Sequence, residues 1–199
     1  GEAVGFVEEL AARHILRLDR LDDIDQEPGA SDRGILIHRA LERFLRRFPG
    51  PMPSDALEQL IAIGREVFAP LAARPGVAAF WWPRFERAAE WFVDTERRGR
   101  PLLAESRGEA MGNLEFSAPG GPFRLTAKAD RVDRLKAGGL VVIDYKTGQV
   151  PSQELVRLGV APQLPLEAAI AAAGGFSGIA AAPVQAMEIW RLGGGADPG

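Results

Sequence analysis

The 199-residue chain contains no cysteine. Disulfides, thiolate zinc sites and cysteine-held iron-sulfur clusters are therefore excluded, and any bound metal must use oxygen or imidazole ligands. The same absence fits a reducing cytoplasm, which is the expected location. No apolar run approaches the roughly 18 residues of a membrane span, and no basic-apolar-cleavage pattern opens the chain. Neither a transmembrane segment nor a secretory signal is expected. Histidine occurs twice and tyrosine once. Lysine is nearly as scarce: of 24 basic residues 21 are Arg, and Lys appears only at 128, 136 and 146.

What is present bounds the class. With 46% apolar and 26% charged residues, the chain has material for one substantial globular domain or at most two small ones. It reads as one domain over residues 1–199, mainly helical to residue 100 and strand-rich after it. A net charge of −3 does not announce a nucleic-acid binder, but "HRALERFLRRF" and "ERRGR" are local basic clusters that could face a phosphate backbone. The chain opens in a helical pattern and stops in "GGGADPG", which reads as a fragment of a longer polypeptide.

Residues 6–18 have helical periodicity, and an acidic, turn-rich loop follows. Ser31 or Asp32 is placed to cap a helix from about Gly34 to Phe48, closed by "PGPMP". Residues 54–73 read as a second helix capped by Ser54, and residues 74–99 as one or two more. Trp81, Trp82, Phe85, Trp91 and Phe92 are expected to pack these helices together. After Pro101 come successive strand candidates, "LLAESRGEA", "NLEFSA", "FRLTAKADRVDRL" and "LVVIDYKT", with "PGGP" as a hairpin turn. "PQLPLEAAIAAAGGF" returns to helix and "VQAMEIWRL" is a last strand. This order predicts a mixed α/β core with an added helical front.

The chemistry gathers at "GGLVVIDYKTGQ". Four apolar residues run into Asp144, Tyr145 and Lys146, and strand alternation puts Asp144 and Lys146 on one face with Tyr145 on the other. An Asp-x-Lys triplet alone is equally well an ordinary surface ion pair. A chain that almost always chooses Arg has, however, placed a Lys here, the cation suited to orienting a water or tuning a proton transfer. In "RLTAKADRVDRL" the odd spacing of Asp130 and Asp133 sends them to opposite faces. If a hairpin closes near "KAGG", Asp130 comes within reach of Asp144. Two such carboxylates repel unless a cation lies between them, and a hard divalent ion is the usual solution.

"AKADRVDRLKAGGLVVIDYKTG" resembles the core of the PD-(D/E)XK nuclease superfamily, in particular its RecB-like branch. "RGILIHRALERF" is similar to that branch's Gly-x-x-x-His helix and "PQLPLEAAI" to its Gln-containing helix. The resemblance spans roughly residues 33–170 and implies a restriction-endonuclease-like fold. It implies that His38, Asp130 and Asp144 hold Mg²⁺ or Mn²⁺, with the Tyr145 carbonyl as an additional ligand, and that Lys146 orients the attacking water or stabilises charge on the phosphate. Gln163 takes the branch's glutamine position near the metal or the DNA strand, whereas Glu167 stands where the branch has a tyrosine. Glu105 matches the acidic residue of the first core strand, with Glu109 and Glu115 as rivals. Counting along the helix puts His38 on the stripe of Gly34, Leu41, Leu45 and Phe48.

"AFWWPRFERAAEWF" and "PQLPLEAAIAAAGGF" look like the alphaproteobacterial form of the C-terminal nuclease domain of the AddB family. That likeness implies a role in double-strand break repair, on a DNA strand delivered by an AddA-like helicase-nuclease partner. Many members clasp this domain with an iron-sulfur cluster; without cysteine, packing of the terminal segments must replace it. Two readings stand at this level: a metal-dependent deoxyribonuclease, or a catalytically silent DNA-binding or scaffolding module of the same fold.

Overall fold

The computed structural model describes residues 29–195; the helical pattern at residues 6–18 and the terminal segments expected to pack on the core lie wholly or mostly outside these. Three helices come first: α1 (Ala30–Arg47), α2 (Ala56–Phe68) and α3 (Trp82–Gly99), the last entered through a widened helical turn at Val77–Trp81. Then follow β1 (Leu103–Ala118), β2 (Gly121–Leu135), β3 (Leu140–Lys146), the short α4 (Gln153–Arg157), α5 (Gln163–Ala172) and β4 (Val184–Arg191). The architecture is the mixed sheet flanked by helices that the element order implies.

The helix starts differ from expectation. α1 begins at Ala30, so Ser31 and Asp32 lie in its first turn and Gly29 is the N-cap residue. Asp32 reaches back to accept a hydrogen bond from the Gly29 N–H at 2.7 Å, half of a capping box. Asp55, not Ser54, precedes α2. β1 is one continuous strand, where the sequence pattern predicts two, "LLAESRGEA" and "NLEFSA". Its Gly112 is not a break: a side chain there would overlap Phe176 and come within 2.9 Å of Ile170, so glycine marks a close approach within a continuous strand.

The strands are ordered β1-β2-β3-β4. β1 and β2 form a long antiparallel hairpin turning at Pro119 and Gly120. β2 and β3 pair antiparallel from Arg131↔Ile143 to Arg134↔Leu140, closed by Gly138 and Gly139 at φ 95° and 85°, a left-handed conformation open to glycine. β4 lies parallel to β3, and the helical crossover that a parallel pair requires is supplied by α4 and α5.

β3 is buried along nearly its whole length, and its alternation divides two cores. Val141, Ile143 and Tyr145 face the helical front, packing with Leu41, Phe44, Phe85 and Phe92. Leu140 and Val142 face Ile170, Ala171 and Phe176 on the α5 side. Phe85 and Phe92 are fully buried, and Trp81, Trp82 and Trp91 pack partly buried against the same core, as helix-packing aromatics should. A buried charge cluster adds to this apolar seam. Arg131 on β2 donates to Glu96 on α3 and, at 2.7 Å, to Asp133; Arg100 donates to Glu96 at 2.6 Å. The helical front is thus joined to the sheet by ionic as well as apolar contacts.

Candidate active site

The site forms where β3 runs out from under the helical front. Because Asp144 and Lys146 follow Leu140 and Val142 onto the α5 face, they meet the first turn of α5. Lys146 Nζ donates to Asp144 Oδ1 at 2.9 Å and to Gln163 Oε1 at 3.1 Å. Gln163 Nε2 donates to Asp144 Oδ1 at 2.9 Å and to Glu167 Oε1 at 3.1 Å. A buried strand therefore ends on two charges because a helix supplies the amide that holds both.

Asp130 comes alongside on β2. Its Oδ2 accepts a hydrogen bond from the Tyr145 N–H at 2.7 Å, and its Oδ1 lies 3.6 Å from His38 Nδ1. Asp133 is turned to the opposite face, buried against Arg131, as the odd spacing requires. His38 is half-buried on α1. Burial alone would lower its pKa, but Asp130 and the Tyr145 backbone carbonyl overcome this and raise it. The helix can lie this close because Gly34, one turn earlier, has no side chain: a Cβ there would stand 2.8 Å from Thr147 Oγ1.

Of the glutamates on β1, Glu109 is the one that stands beside His38 and Asp130. His38, Glu109 and Asp130 each offer a ligand atom, all within 4.8 Å of one another. The pairs Gly108↔Arg131 and Ala110↔Ala129 put Glu109 level with Asp130, and its φ of 54° turns the strand locally. Glu105 instead pairs with Arg134, four residues along, roughly 13 Å at about 3.3 Å per residue, and its carboxylate binds Arg107 at 2.7 Å. The structure does not bring Glu105 to His38 and Asp130. Glu115 is further still, an exposed partner of Arg124 near the hairpin end. Alternation could not choose among these glutamates, since all share one parity; only register separates them.

Two further side chains belong here. Lys128 on β2 pairs with Glu109, and that bond holds its ammonium pKa above the usual lysine value. Glu167 is buried with Oε2 unpartnered among the described residues, and burial, reinforced by Asp144 and Asp130, pushes its carboxyl up to about 7. Its i,i+4 spacing from Gln163 was the available signal. Asp144 is likewise raised by burial, against the pull of Lys146, and its Oδ2 is a buried oxygen with no hydrogen-bond partner among the described residues.

Across residues 10–198 the sequence matches the PD-(D/E)XK nuclease superfamily. The chain belongs to that superfamily. Superfamily members generally cleave phosphodiester bonds with divalent metals, and this chain's donor set of carboxylates and one imidazole, with the unpartnered Asp144 oxygen beside it, fits a hard divalent cation. Among curated proteins it is similar to an uncharacterized protein of Rickettsia bellii, 26% identical over 166 residues. Others of Rickettsia conorii and Rickettsia felis are 29% and 28% identical over 170 residues. Each match takes in 83% of this chain, which spans only about 20% of those relatives' length. No described helix of this PD-(D/E)XK chain is long and apolar enough to cross a membrane.

Proposed function

We propose that this PD-(D/E)XK chain is a metal-dependent deoxyribonuclease. The observation that carries the reading is the meeting of His38, Glu109 and Asp130 within 4.8 Å beside the bonded trio Asp144, Lys146 and Gln163. His38, Glu109, Asp130 and Asp144 would hold Mg²⁺ or Mn²⁺, with the Tyr145 carbonyl beside the imidazole as a further oxygen. A divalent cation held by these residues would supply Lewis-acid chemistry, polarising the scissile phosphate and making the attacking water more acidic.

The chain's own groups supply the rest. Lys146 places an ammonium next to Asp144, where it orients the attacking water and offsets charge growing on the phosphate oxygens. Gln163 fixes that lysine by accepting from it, while donating to Asp144, so neither side chain is free to turn away. Lys128 lowers the repulsion among the carboxylates from the other side.

The finer placement rests on the resemblance of the helical front and of α5 to the AddB nuclease domain. On that ground we assign the activity to end processing in double-strand break repair, on a single strand delivered by an AddA-like helicase partner. The test is a titration of Mg²⁺ and Mn²⁺ into the protein with end-labelled single-stranded DNA. The reading requires cleavage that appears with metal, disappears with chelator and is lost in Asp144→Ala. Metal-independent cleavage, or none with either ion, would overturn it.

A further inference from the structure

Next to the metal-ligand cluster lies an open groove of about 830 Å³, bounded by the C-terminal half of α1, the end of α3 and the first half of β1. It ends next to the cluster without including its residues: Glu42, in its lining, lies one helical turn beyond His38, and Gly108 immediately precedes Glu109. Five basic side chains line it, Arg46, Arg97, Arg100, Arg107 and Lys136, against two acidic ones, Glu42 and Glu105. This local excess of positive charge stands out in a chain whose net charge is −3.

We infer that this groove binds the phosphate backbone of the nucleic-acid strand as it runs to or from the cleavage site. The inference rests on the nuclease reading and extends it to a second, non-catalytic contact surface. The two basic clusters legible in the sequence converge here, Arg46 from α1, and Arg97 from the end of α3 with Arg100 just after it. Lysine usage points the same way. Of the chain's three lysines, Lys146 and Lys128 stand at the site and Lys136 in the groove.

The cations divide by task. Arg100 is mostly buried and donates to the Phe48 and Gly50 carbonyls and to Glu96, so it shapes the wall. Arg46, Arg97, Arg107 and Lys136 are exposed. Arg46, Arg107 and Arg97 are held by Glu42, Glu105 and Asp94 in surface pairs worth at most about 1 kcal/mol each. Arg97 donates to the Ser54 carbonyl at 3.2 Å and Lys136 to the Pro101 carbonyl at 2.8 Å. Each keeps further N–H donors for a phosphate, since a guanidinium carries five and an ammonium three.

The test is fluorescence anisotropy of a labelled oligothymidylate, in EDTA, with wild-type protein and the variant Arg97→Ala, Arg107→Ala, Lys136→Ala. All three side chains are exposed, and unchanged thermal melting checks the fold. The triple variant should bind at least about tenfold more weakly at low salt. Its slope of log affinity against log salt should be shallower by about 2, from three phosphate contacts at about 0.7 each. Arg124→Ala, far along the hairpin, should match wild type. With metal, the triple variant should raise KM for a long strand and leave kcat unchanged.

Unchanged affinity and slope in the triple variant, or no binding by wild type in EDTA, overturns the groove. A wild type that binds in this way but never cuts leaves the groove standing and overturns the nuclease reading alone.

Discussion

Asp130 Oδ2 accepts a hydrogen bond from the backbone N–H of Tyr145 at 2.7 Å. The same carboxylate thus closes the end of the β2-β3 ladder and, through its other oxygen, faces His38 at 3.6 Å. Structure and metal affinity are separable at this residue. Asp130→Asn keeps an acceptor oxygen for the N–H and should melt close to wild type, while Asp130→Ala leaves the amide without its partner and should cost about 1–3 kcal/mol. Both should lose Mn²⁺ affinity in calorimetric titration. Equal melting of the two variants would show that the hydrogen bond contributes nothing.

Glu167 gives the fold a pH dependence. Its carboxyl is at about 7 in the folded protein against an ordinary 4.5, so between these values the folded state holds a proton that the unfolded state has released. Stability should therefore fall as pH rises from about 4.5 through about 7. Glu167→Gln should flatten most of that fall and melt higher than wild type at pH 8 in chelator. Some slope stays, because Asp144 is shifted in the same direction. Parallel melting curves for the two proteins across this window would refute the assignment.

Glu96 and Arg131 are 1% and 2% exposed, so removing Glu96 leaves two cations, the buried Arg131 and the mostly buried Arg100, sharing only Asp133 beside Arg131. Glu96→Ala should cost about 3–5 kcal/mol in urea denaturation, because Arg131 and Arg100 both lose this carboxylate, and replacing Arg131 as well should not restore it, since Asp133, itself buried, would then lose its cation. A loss below about 1 kcal/mol in Glu96→Ala would mean that apolar packing alone holds the helical front.

Gly64 sits in mid-α2, where alanine would favour the helix by about 1 kcal/mol. A Cβ there would overlap the buried Phe85 ring on α3. Gly64→Ala should therefore destabilise, by about 1–3 kcal/mol, and an unchanged or raised melting temperature would mean that the ring has room to shift.

The parts of the site that were legible in the sequence are those fixed by local period. Alternation along β3 put Asp144 and Lys146 together, odd spacing separated Asp130 from Asp133, and the 3.6-residue period put His38 on the sheet-facing side of α1. Gln163 and Glu167 share a helix face for the same reason. Register was not legible: Glu105 and Glu109 have the same parity, and only pairing with β2 shows which is level with Asp130. The helix starts were misplaced because serine and aspartate serve in a first turn as well as at a cap. α4, five residues long, is too short for any period to show.

Lys146 separates an enzyme from a silent module of the same fold. The most direct measurement is single-turnover cleavage of end-labelled single-stranded DNA in Mn²⁺ by wild type and Lys146→Ala, with Mn²⁺ binding and melting recorded for both. Gln163 still holds Asp144 in the variant, and His38, Glu109 and Asp130 are untouched. The account predicts that the variant folds, binds Mn²⁺ and cuts more slowly by about 10² to 10³, the scale of losing one electrostatic stabiliser in a site. Equal rates for the two proteins, whether both cut or neither does, would contradict it.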